Sequence, residues 1–96
     1  MYVRIHVHSD DVILAACDED ILGMTFRGDG MKITVTESFY KGESLEREAF
    51  VERMKSVSVM NLVGNEVVRI ASEEGYVSSG SIVEIGGVKH AQVVMM

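Results

Sequence analysis

The chain has no proline, no tryptophan and one cysteine in 96 residues. Without proline, every turn must be shaped by glycine or Asx residues, which tolerate the backbone conformations that turns need. Cys17 alone cannot form an intramolecular disulfide, which excludes a cross-linked extracellular scaffold and suits a reducing cytoplasm. The longest apolar run, Val12 to Cys17, is far shorter than the roughly 20 residues of a spanning helix. The N-terminus alternates Val3, Ile5 and Val7 with Arg4, His6 and His8, unlike the basic head and apolar block of a secretory signal. These absences predict a cytoplasmic protein with no membrane partner.

Basic residues are also scarce: nine Lys and Arg stand against fifteen Asp and Glu, for a net charge of −6. They are scattered singly, with no stripe that could release counterions from a phosphate backbone, so nucleic acid is not expected as a direct ligand. A basic protein surface is the better match for this field. What the chain does have is apolar material: 47% hydrophobic residues against 25% charged exclude intrinsic disorder and predict one domain over 1–96.

The period-two pattern of 2–8 and the apolar run 12–17, separated by Ser9, Asp10 and Asp11, predict an antiparallel hairpin with Val3, Ile5 and Val7 on the buried face. Asp18, Glu19 and Asp20 predict the first turn of a short helical segment ending near Gly23. Residues 24–27 and 31–36 flank Gly28, Asp29 and Gly30 as a second hairpin, with Met31, Ile33 and Val35 facing the core. After a connector over 38–43, Ser44 is placed to cap a helix carrying Leu45, Ala49, Phe50 and Met54. Met60, Val63, Val67, Ile70 and Ala71 recur at helical spacing up to Gly75 and predict a second helix, although Gly64 inside it argues for a start at Asn65 instead. Residues 81–85 and 88–95 around Gly86 and Gly87 read as a last hairpin. The expected fold is α+β: a mostly antiparallel sheet built from hairpins, with two helices packed on one face.

Three groups could carry chemistry. His6 and His8, two apart on a strand, share a face and could contribute to a metal site with Asp10, Asp11, Cys17 or His90, but no spacing fixes that geometry, and no metal or other cofactor is expected. An exposed strand face explains the pair more simply. Cys17 beside Asp18 and Asp20 could act as a nucleophile, with His90 as base, only if the fold joined them; the carboxylates would oppose thiolate formation, and a small buried hydrophobe is the simpler role. The segment Gly86, Gly87, Lys89, His90 and Gln92 combines close backbone approach with a cation, a titratable ring and an amide. It is the most unusual polar cluster, although an ordinary hairpin tip would also produce it. No phosphate-binding loop, dinucleotide fingerprint, paired CxxC or GxSxG motif is present.

The blocks 16–26 (ACDEDILGMTF), 38–42 (SFYKG), 61–64 (NLVG) and 85–92 (IGGVKHAQ) together resemble a family of small stand-alone archaeal proteins of unknown function. The resemblance implies an archaeal cytoplasmic protein and transfers no activity or catalytic residue. It leads one to expect proline where Lys89 stands and lysine where Met24 stands. The reading that follows is a non-enzymatic binding module for a protein partner, such as an accessory of the translation apparatus. The alternative is a small enzyme or metalloprotein using Cys17 with His90, or the His6 and His8 pair. The apolar end 93–96 could also pair with a second copy as an edge strand.

Overall fold

Strands separated by two turn residues can only return antiparallel, and the first two do. The computed structural model, which describes residues 1–95, has β1 at Tyr2–His8 and β2 at Asp11–Cys17, registered from Tyr2 opposite Cys17 to His8 opposite Asp11. A single 3-10 turn at Glu19–Ile21 follows where the acidic triplet predicted one. Next come β3 (Thr25–Gly28) and β4 (Met31–Thr34), joined by Asp29 and Gly30. Both loop residues have positive φ, 50° and 77°, the requirement of a tight hairpin turn with the right twist.

The chain continues through α1 (Glu37–Tyr40), β5 (Glu43–Ser44), α2 (Arg47–Met54), β6 (Val59–Val63) and α3 (Asn65–Glu73). It closes with β7 (Val83–Ile85) and β8 (Val88–Val94). The main sheet has the order β5-β1-β2-β6-β8-β7, and β3 with β4 forms a separate two-stranded sheet. Every pairing is antiparallel except β2 with β6. The fold is α+β, mostly antiparallel, and no helix is long and apolar enough to cross a membrane among the described residues.

Two apolar clusters lie on opposite faces of the main sheet. On one, Val3, Leu14, Ala16, Met60, Leu62 and Ala91 pack with Phe50 and Met54 of α2 and with Val67, Val68, Ile70 and Ala71 of α3. The two longer helices thus pack in the same cluster. On the other, Ala15, Cys17 and Val63 lie under Val35 and Tyr40, with Phe26, Ile33 and Phe39 at the margin.

Several local expectations are corrected. Residues 59–63 are a central strand and not the first turns of a helix. A short buried apolar run has the same pattern in either state, and only its neighbours β2 and β8 decide it. Gly64, at φ 125°, breaks the chain direction, and the helix begins at Asn65. Ser44 lies in edge strand β5 and not at a helix cap, while part of the connector is α1. Of the apolar face of β1, Val3 is buried but Ile5 and Val7 are exposed, because the strand runs past the area that α2 and α3 cover. Met31 is likewise exposed while Val35 is buried. In the C-terminal apolar run Val94 is exposed, and Met96 lies outside the described residues.

Candidate binding site

The sheet face away from α2 and α3 is only partly covered. Hairpin β3–β4 and α1 stand over it, and between them and the strands β6 and β8 lies a cleft of about 630 Å³, a size suited to ligands. Asn61, His90 and Gln92 form its floor; β4, Thr36, Phe39, Tyr40 and Ile85 form its walls. Asn61 of β6 is registered directly opposite Gln92 of β8, so two side-chain amides sit side by side. The Tyr40 hydroxyl donates to Asn61 Oδ1 at 2.6 Å, which orients that amide and leaves its NH₂ free to donate. Burial, and secondarily Cys17 nearby, pushes the Tyr40 phenol up to about 12, so it remains a donor at neutral pH. His90 Nδ1 donates to the Leu62 carbonyl at 2.9 Å. A carbonyl can only accept, so in the neutral ring Nε2 carries the lone pair.

Among the described residues the cleft is lined by no Asp or Glu, and Lys32 is its one formal charge, in a chain of net charge −6. A second cleft, about 790 Å³, lies at the start of α3 and mixes Asp18, Asp20 and Glu66 with Arg69 and Lys89. Its helix terminus is already satisfied from within. The Asp18 carboxylate accepts the Glu66 and Val67 N–H groups, each at 3.0 Å, and so caps the helix from the end of β2.

The strand period divides the segment 86–92. His90 and Gln92 reach the first cleft, whereas Lys89, out of phase with them, borders the second. Lys89 N–H donates to Asn65 Oδ1 at 3.0 Å and its carbonyl accepts Gly64 N–H at 2.8 Å, tying β8 to the turn before α3. Gly86 and Gly87 form the β7–β8 turn at φ 58° and 85°. The close approach expected of these glycines exists, and its partner is intramolecular. A Cβ on Gly86 would lie 2.7 Å from the Arg27 carbonyl oxygen, and one on Gly28 would lie 2.8 Å from Gly86 N. This contact sets the height of β3 over the sheet and hence the width of the cleft.

Cys17 is fully buried, and burial, followed by the Asp18 charge, pushes its thiol up to about 12. Val63 is the registered neighbour of both Cys17 and His90, so those two residues are two strand spacings apart, roughly 10 Å, with a valine between them. His6 stacks on Phe39 with ring centroids 4.7 Å apart, and its Nε2 donates to the Phe39 carbonyl at 2.8 Å. His8 is exposed at the end of β1. Among the described residues, no three His, Cys, Asp or Glu side chains converge as a metal site would require.

The model of the family described as "Protein of unknown function (DUF424)" matches residues 6–96. The chain belongs to this family. An uncharacterized conserved protein from Methanopyrus kandleri, an archaeon, has a similar crystal structure, with a TM-score of 0.74 and 31% sequence identity. That likeness covers 99% of this chain and 92% of the other. No curated protein matches the chain. Family membership agrees with the resemblance read from the sequence blocks, and it assigns no activity.

For this DUF424 member, sequence reasoning found His90 and Gln92 but missed Lys32, Phe39, Tyr40 and Asn61, which share their cleft. One signal was available. Asn61 is the only strongly polar residue between Val59 and Gly64, and a polar side chain in a buried strand needs a partner, here Tyr40.

Proposed function

We propose that the protein is a non-enzymatic binding module of the cytoplasm, which docks a protein partner at the cleft between hairpin β3–β4 and the main sheet. In this reading it serves a larger assembly, such as the translation apparatus. The observation that carries the reading is the convergence of Tyr40, Asn61, His90 and Gln92 on one cleft. These groups are held by rigid strands or by hydrogen bonds, and none is an activated nucleophile. The alternative chemistry lacks geometry to support it: the Cys17 thiol is buried and protonated at neutral pH, and Val63 separates it from His90.

The test is capture of partners from an archaeal lysate by the tagged protein and by a His90→Ala/Gln92→Ala double variant, each with and without nuclease. The reading expects a protein that survives nuclease and is lost with the double variant. A partner retained equally by the variant refutes the cleft as the docking surface, and one released by nuclease makes nucleic acid the ligand.

A further inference from the structure

Hairpin β3–β4 is a two-stranded sheet, and among the described residues no strand pairs with the outer edge of β4. On one side β4 pairs with β3, from Met31 opposite Gly28 to Thr34 opposite Thr25, and among the described residues it pairs with no other strand. In a hairpin with a two-residue loop the closing pair is hydrogen-bonded and the next is not. Met31 and Ile33 therefore direct their backbone groups at β3, while Lys32 and Thr34 direct theirs outward; the Thr34 carbonyl accepts the Thr36 N–H at 3.1 Å, which leaves the Lys32 N–H and carbonyl and the Thr34 N–H for a further strand. All four residues of β4 line the cleft. An unpaired strand edge beside a cleft is a template for an added strand.

The side chains specify what such a strand should carry. Arg27 and Lys32 are directly opposite each other across the hairpin. Directly opposed like charges destabilise a strand pair, and neither cation has an ion-pair partner among the described residues. Most other cations of the chain are paired: Arg47 and Arg69 with Glu73, Arg53 with Glu43, Lys55 with Glu52. An acidic side chain registered beside Lys32 on an added strand would relieve this repulsion, while the alternate residue would face the apolar side of the hairpin, where Phe26 and Ile33 lie.

We infer that the cleft takes an extended segment of the partner protein as a third strand on β4, with an acidic residue of that segment beside Lys32, where its charge offsets the repulsion between Lys32 and Arg27. This rests on the protein-binding reading and adds the backbone mode and the charge of the ligand. The probes are fluorescein-labelled hexapeptide pools of alternating apolar residues with Glu, Gln or Lys fixed at one central position, together with an oligouridine.

The Glu pool is expected to bind about fivefold more tightly than the Gln pool, the size of one favourable cross-strand charge contact. It should slow amide exchange at Lys32 and Thr34 and lose its binding when its backbone is N-methylated. Lys32→Glu, an exposed change checked by an unaltered melting curve, should transfer the preference to the Lys pool. Equal binding of the three pools, no binding by any, insensitivity to N-methylation, or oligouridine binding removed by the same variant would each overturn the inference. If a partner captured from lysate still depends on His90 and Gln92 while the pools fail, the binding-module reading survives and only strand addition is lost.

Discussion

Two side chains that read as chemistry in the sequence have structural work in the fold. Cys17, at the end of a central strand, has no exposed surface, and a thiol held protonated by burial is a poor nucleophile. Alkylation with iodoacetamide at pH 7.5 should therefore be negligible in the native protein and complete after unfolding in guanidinium, as mass spectrometry would show. Rapid native modification would refute its burial. Asp18 is tied to α3 through Glu66 and Val67. Replacing it by alanine should cost about 1–2 kcal/mol in urea unfolding, the usual range for a lost helix cap. Asp18 was legible as a cap, but the sequence pointed to the local turn. Its actual helix begins 47 residues later by numbering, a distance that only folding closes.

At the scale of elements, two turns control the molecule's shape. The β6–α3 junction depends on Gly64, where φ is 125° and an added Cβ would collide with the Asp18 carboxyl group. Gly64→Ala should destabilise by about 2 kcal/mol or more, since it combines backbone strain with displacement of the cap. Combined with Asp18→Ala it should cost less than the sum, because the clash then disappears; strict additivity in urea melts would refute that coupling. The β7–β8 turn distinguishes two adjacent glycines. Gly87 has open space around its missing Cβ, whereas Gly86 abuts the Arg27 carbonyl. Gly87→Ala should cost about 1 kcal/mol for its positive φ alone, and Gly86→Ala clearly more. Only the second should shift the amide resonances of β3 and β4, because only it lifts the hairpin. The paired glycines were legible as a turn. That one of them is a packing contact with β3 was not, since the contact joins residues distant in sequence.

For the whole molecule, the alkaline limit of stability follows from two buried groups. Folding raises the Cys17 thiol from 9.0 to about 12 and the Tyr40 phenol from 10.0 to about 12. The folded state then holds protons that the unfolded chain releases, so their contribution is complete below pH 9 and is lost as pH rises toward 12. Urea midpoints measured from pH 8 to pH 11 should fall steadily above pH 9, and Cys17→Ala should flatten part of that fall. An unchanged slope in the variant would show that the thiol is not the titrating group.

The sequence by itself determined the α+β class, both terminal hairpins, the central hairpin and part of the buried face of the two longer helices, Phe50 and Met54 on α2 and Val67, Ile70 and Ala71 on α3, while Leu45 precedes α2 and Met60 and Val63 belong to β6; what it read correctly rests on a local period or a turn chemistry within a few residues. It also singled out His90 and Gln92. Only the tertiary structure decided that 59–63 is a strand, that β2 and β6 run parallel, and that Asn61, Tyr40 and Lys32 meet those two residues in one cleft. The physical reason is the same in each case: these outcomes depend on pairing between segments far apart in the chain, and a short apolar run carries no mark of the neighbour that will hydrogen-bond to it.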